Sequence, residues 1–201
     1  MEKGLPMPDI SDLNLLKEPL LVILIGLNDK GITKKLGLHR RNFIRLVDKA
    51  IIEYLDARQE LVKEIKEEKR ALAGQQCIDS PSYRFAFIDH LENCVNAVRR
   101  LLGILERLKT DTTSNVFPRE TRKLLQSIGK DIIDVRDVIE HMDEKVQHDQ
   151  IGENEPVMLS LSRERDTVMI GDYSLRLSQL GITIRRLHQV GLNILELSPK
   201  S

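Results

Sequence analysis

The sequence predicts an all-α fold, an antiparallel four-helix bundle with a small β-hairpin before its C-terminal helix, and three features carry that prediction. Apolar residues recur at alternating spacings of three and four in four separate segments. Aromatic residues make up only 3% of the 201 residues and Trp is absent, so the core must be built from Leu, Ile and Val, which suits helix-on-helix packing. Clusters of Gly, Pro, Asp, Ser and Asn separate the segments. A three-four alternation averages about 3.5 residues per turn, keeps an apolar seam turned toward a partner and favours nearly antiparallel packing. Four such helices imply a four-helix bundle.

The first seam is Ile44, Val47, Ile51, Tyr54, Leu61 and Ile65, with Arg58 in one slot. The second is Ile88, Leu91, Val95, Val98, Leu102 and Leu105, widened by a parallel column of Phe87, Cys94, Leu101 and Leu108. The third, Leu125, Ile128, Ile132, Val135, Ile139, Met142 and Val146, is unbroken. The fourth is Leu177, Leu180, Ile184, Leu187 and Ile194, with Gly191 in the remaining slot. Gly74–Pro81, Thr110–Pro118 and Gly152–Pro156 are the breaks, and Asp79 or Ser80 is placed to cap the second helix. Between the last two helices, Val157–Ser162 and Thr167–Ile170 flank a charged turn at Arg163–Asp166 and predict a hairpin over about 157–170. Asp172 or Ser174 would then cap the final helix.

Residues 41–201 are therefore expected to form the bundle domain, and residues 1–40 an N-terminal extension with a basic segment. Residues 1–19, interrupted by Pro, are expected to be loosely held. The apolar run Leu20–Ile25 is far shorter than the roughly 20 residues a bilayer span requires, and no secretory leader pattern opens the chain. Cys77 and Cys94 make no CxxC pattern. A cytoplasmic protein with no membrane association and no disulfide framework is the expectation. The 31 basic and 31 acidic residues cancel, so charge acts only locally.

The long third helix carries Arg136-Asp137-Val138-Ile139-Glu140-His141 on its polar side. An Arg, a polar residue after it and a His five positions on, late in the long helix of an α-bundle, resembles the HEPN family (higher eukaryotes and prokaryotes nucleotide-binding). The resemblance covers roughly residues 83–150. It implies a metal-independent endoribonuclease of the toxin or defence kind, needing no cofactor. Two copies of the helix would meet across a homodimer, with RNA as substrate and a protein antitoxin as partner. By that resemblance His141 takes part in proton transfer at the ribose 2′-hydroxyl, Arg136 stabilises the charged phosphate, and Asp137 orients the pair. Imidazole titrates near neutrality and guanidinium matches phosphate geometry, so the roles are chemically sound. The same spacing class occurs once more at Arg84 and His90, where Phe85 breaks the pattern.

The same residues also read as a solvated helix face. Arg136 with Glu140, Asp137 with His141 and Glu144 with His148 are i,i+4 pairs worth about 0.2–0.5 kcal/mol each. A non-catalytic oligomeric interaction module is the resulting alternative. Residues 131–155 hold nine acidic and two basic side chains, a surface that repels phosphate. Residues 99–130 hold eight basic and three acidic ones, which could offset this across a dimer. Asp137, His141, Glu144 and His148 also form a stripe of metal-capable side chains, but it points away from the seam, whereas bundle metal sites project inward, so no metal is expected.

A further alternative lies at Ile32–Ile44, where a short amphipathic segment, Gly37 and a basic segment look like a helix-turn-helix. Residues 30–45 hold six Lys/Arg and no acid, and Lys34, Lys35, Arg40 and Arg41 would contact nucleic-acid phosphates. A basic connector leading into the first long helix is the simpler reading of the same residues. Walker, GxGxxG, GxSxG and HExxH patterns are absent from the sequence.

Overall fold

A computed structural model describes residues 5–17, 33–75, 80–108, 119–152, 155–162 and 165–196. The breaks at 110–118, Asp79, Cys77, Lys30, Ile32 and the Leu20–Ile25 run lie outside them. Mostly helical, the chain holds helix α1 at Lys34–Leu72, α2 at Ser80–Leu108, α3 at Arg119–Gln147 and α4 at Leu177–Glu196. Contacts run in a ring, α1 to α2, α2 to α3, α3 to α4 and α4 back to α1, with α1 and α2 packed most extensively.

The seams explain that ring. Ile44, Val47, Ile51, Tyr54 and Leu61 of α1 are buried, as are both columns of α2 apart from a half-buried Leu102. Ile132 and Val135 of α3 are at 0% exposure, Ile139 is half-buried, and Val146, last in the stripe, is exposed. Glu64 meets Arg84, Glu53 meets His90 and Ala50 meets Cys94, so α1 and α2 run in opposite senses. Gly181 beside Tyr54 and Gly191 beside Val47 show that α1 and α4 also run in opposite senses.

Three expectations need correction. The hairpin is a three-stranded antiparallel sheet, β1 (Ser160–Leu161), β2 (Thr167–Ile170) and β3 (Tyr173–Arg176), in the order β1-β2-β3. Asp172 and Ser174 therefore do not cap α4. Gly171-Asp172 is a two-residue hairpin turn with Gly171 at φ 52°, the positive φ that such a turn demands at its first position. Val168, Ile170 and Leu175 bury against the helices.

Second, Gly37 makes no turn: α1 runs unbroken through it from its cap, Thr33, whose hydroxyl accepts the Leu36 amide. Gly37 is buried and the helix simply continues into its seam.

Third, residues 5–17 are not loose. They form a strap laid along α1 and α4, with Met7, Ile10 and Leu16 at 2% exposure or less. Tyr54 donates its hydroxyl to Pro8 O at 3.0 Å, and Arg58 donates to Met7 O. Asp48 accepts both the Leu16 amide at 2.7 Å and the Lys17 amide at 2.8 Å. From α4, His188 Nε2 stands 2.8 Å from Asn14 O and Arg185 donates to Asp9 O and to the Asp12 carboxylate. A carbonyl only accepts, so Nε2 of His188 carries the proton.

Candidate functional site

The periodicity that buries Ile132, Val135, Val138 and Met142 turns Arg136, Asp137, Glu140 and His141 to the other side of α3. Arg136 is half-buried, and its guanidinium donates to Asp137 Oδ1 at 3.2 Å while also pairing with Glu140. His141 is exposed, and its Nδ1 lies 3.2 Å from Glu144 Oε2. Each of the two residues thus finds a carboxylate on its own helix, and one chain does not join them into a pocket. The neighbouring element is β3, where Lys145 sits 5.9 Å from the ring centre of Tyr173.

The second Arg/His pair is divided between two structural contacts. Arg84 makes a two-nitrogen grip on the buried Glu64 at 2.8–2.9 Å, and His90 bonds Glu53 at 2.9 Å. Both tie α2 to α1, so neither residue is available for chemistry.

The basic segment is also divided. Lys34 and Lys35 are exposed in the first turn of α1, Arg41 is half-buried, and Arg40 is only 7% exposed. Without a turn at Gly37 and with Arg40 inside, the four do not form one phosphate-facing surface. Among the described residues no three His, Cys, Asp or Glu side chains converge as metal ligands, and no helix is long and apolar enough to cross a membrane.

Two features escaped the sequence. One is the polar cluster under the strap. Burial pushes the Asp48 carboxyl above its ordinary range while the two strap amides pull it back. Burial likewise pushes the Tyr54 phenol and the Cys94 thiol well up. The irregular seam slots were the available signal: Arg58 reaches the strap carbonyl of Met7, and Gly191 leaves the hole that Leu16 fills. The other is a slot of about 350 Å3 between α2 and α3, floored by apolar side chains. No seam pattern reveals it, because it opens where two half-buried faces fail to close.

Comparison with protein-family models, curated proteins and solved structures gives no match to this chain.

Proposed function

We propose that the chain is an antiparallel four-helix bundle of HEPN-like type that cleaves RNA as a homodimer, without metal, in a toxin or defence role. The observation that carries this reading is the placement of Arg136, Asp137 and His141 off the buried seam of α3, late in the helix, with His141 exposed and Arg136 half-buried. His141 has 59% of its side chain in solvent, where a substrate can approach it. A single copy supplies one imidazole and one guanidinium, the latter neutralised by Glu140 and Asp137. A second α3 facing the first would bring two imidazoles and two guanidiniums to one cleft, where a phosphate must compete with Glu140 and Asp137 for each guanidinium.

The rival reading, a non-catalytic oligomeric module, draws on the same ion pairs. Arg136 with Glu140 and His141 with Glu144 are ordinary pairings along one helix.

The two separate in one experiment. Purified wild-type protein is incubated with RNA in chelator, beside Arg136→Ala and His141→Ala. Cleavage lost by at least a hundredfold in both variants, with helicity and oligomeric mass unchanged, is the expected result. Intact RNA with the wild type, or variants that cleave as well as it does, removes the enzyme in favour of the interaction module.

A further inference from the structure

The slot between α2 and α3 has a volume of about 350 Å3, within the roughly 300–1,000 Å3 that small-molecule pockets occupy. Its walls are the buried Leu105 and Leu125 and the half-buried Leu102 and Ile133. No aromatic ring is among its lining residues, so the surface a guest meets is branched and aliphatic. An apolar cavity of about 150 Å3 already takes up benzene, because side chains around a gap forgo contacts that a guest restores.

Gly103 is what keeps the slot open. It stands in the interior of α2, within the stripe Arg99, Leu102, Gly103 and Glu106 that the helix turns toward the slot. Glycine weakens a helix there relative to alanine, and close approach of a second backbone is the usual structural reason for one. That reason does not hold at Gly103. Among the described residues a Cβ on it would meet one atom within 4 Å, the tip of Arg99 at 3.5 Å, an ordinary contact with a flexible side chain. Gly129, on the facing wall, is different: its Cβ would stand 3.3 Å from Leu102 Cδ1, so packing already calls for a small residue. Packing explains Gly129; at Gly103 what the missing side chain leaves is the slot.

The charges around the slot cancel. Arg99 and Lys130 are matched by Glu106 and Asp134, and the Arg99 guanidinium reaches Gly103, one turn from Glu106, so the lining carries no field of one sign. A charged guest would give up hydration with no net partner in return. We propose that this slot binds a neutral aliphatic small molecule, its hydrocarbon against Leu102, Leu105, Leu125 and Ile133 and over Gly103. None of Arg136, Asp137 and His141 lines it, so the site is separate from the one assigned to RNA cleavage and does not depend on it.

Octanol is the probe, with octanoate and octylammonium as its charged counterparts, each titrated into isotopically labelled full-length protein and followed by amide chemical shifts. Saturable shifts centred on Gly103 and Gly129 are expected with octanol, and neither charged counterpart should bind more tightly. Gly103→Ala should weaken octanol about tenfold, the scale of one methyl group in an apolar pocket, and Gly103→Leu should abolish binding. Both variants should keep or raise the melting temperature, which separates a filled slot from a damaged fold. If leucine proves too large for the chain to fold, the alanine variant carries the test. No saturable shift at millimolar octanol, shifts centred elsewhere, tighter binding of either ion, or Gly103→Ala that binds octanol as wild type does each overturn the proposal. So does a lower melting temperature for Gly103→Ala, which would make the glycine a packing residue. A dilution series in which the same amides move without octanol would make a second copy the occupant and overturn it too.

Discussion

Gly181 and Gly191 matter for what a single methyl group would meet. A Cβ on Gly181 would stand 2.8 Å from the Tyr54 hydroxyl, an oxygen already fixed by its bond to Pro8 O. The ring behind it is fully buried, so the clash cannot be relieved by a side-chain swing. Overpacking of this kind costs about 1–3 kcal/mol, more than the roughly 1 kcal/mol that alanine gains over glycine in a helix. Gly103 is the contrast: its nearest neighbour is 3.5 Å away at the tip of Arg99. Gly181→Ala is therefore expected to lower the melting temperature and Gly103→Ala to hold or raise it, as circular dichroism melts would show. Equal effects at both sites would mean the Tyr54 contact is not tight.

Among the elements, the strap is the one whose hold depends on acid. Asp9 is kept below the ordinary carboxylate value of 3.8 chiefly by the Ser11 backbone amide, and Asp12 chiefly by hydrogen bonds from Arg185. A depressed carboxylate contributes stability that is complete above 3.8 and lost as pH falls through its lowered value. Asp48, raised by burial, works the other way: the native state takes up its proton first, so this group favours folding as pH falls toward 3.8. Asp12→Asn should thus melt below wild type at neutral pH, and the gap should close below pH 3.8. A gap unchanged at pH 2 would show that the Asp12 charge contributes nothing. The helices that receive the strap were legible from their stripes, but the strap was not. Met7, Ile10 and Leu16 follow no regular spacing, and the seats of the strap, Pro8 beside Gly181 and Leu16 on Gly191 and Asp48, exist only once α1 and α4 are packed. Strand β3 was missed for a related reason. Asp172 just before it and Ser174 within it are signals that also mark a helix start, and only pairing of Val168 with Leu175 decides between them.

For the whole molecule, the strap makes the core continuous with the N-terminal segment. Burying Met7, Ile10 and Leu16 is worth about 1.5–3 kcal/mol for each side chain, against roughly 5–15 kcal/mol for an entire domain. Removing residues 1–17 is expected to abolish the cooperative thermal transition and to expose surface that binds an apolar dye. A truncated chain that melts sharply near the full-length temperature would demote the strap to decoration. The candidate site on α3 stands differently in relation to the sequence. That Arg136, Asp137 and His141 lie off the buried seam followed from the heptad stripe alone. Their actual partners, Glu140 and Glu144, are the i,i+4 and i,i+3 acids that the same helix geometry supplies. Arg40 was legible too: it stands four residues before Ile44 and seven before Val47, in the slot that continues the α1 seam, and is the cation the fold takes inside.

Asn14 and His188 touch across 174 positions, and that span sets an order of events on the ribosome. The strap is made well before α4, and the groove that receives it lacks one wall until α4 has left the exit tunnel. Its apolar side chains must wait while the residues between them and α4 are made, with nowhere dry to go. The molecule therefore closes in a single late step, and the interval before it is when a nascent chain of this kind most needs a chaperone.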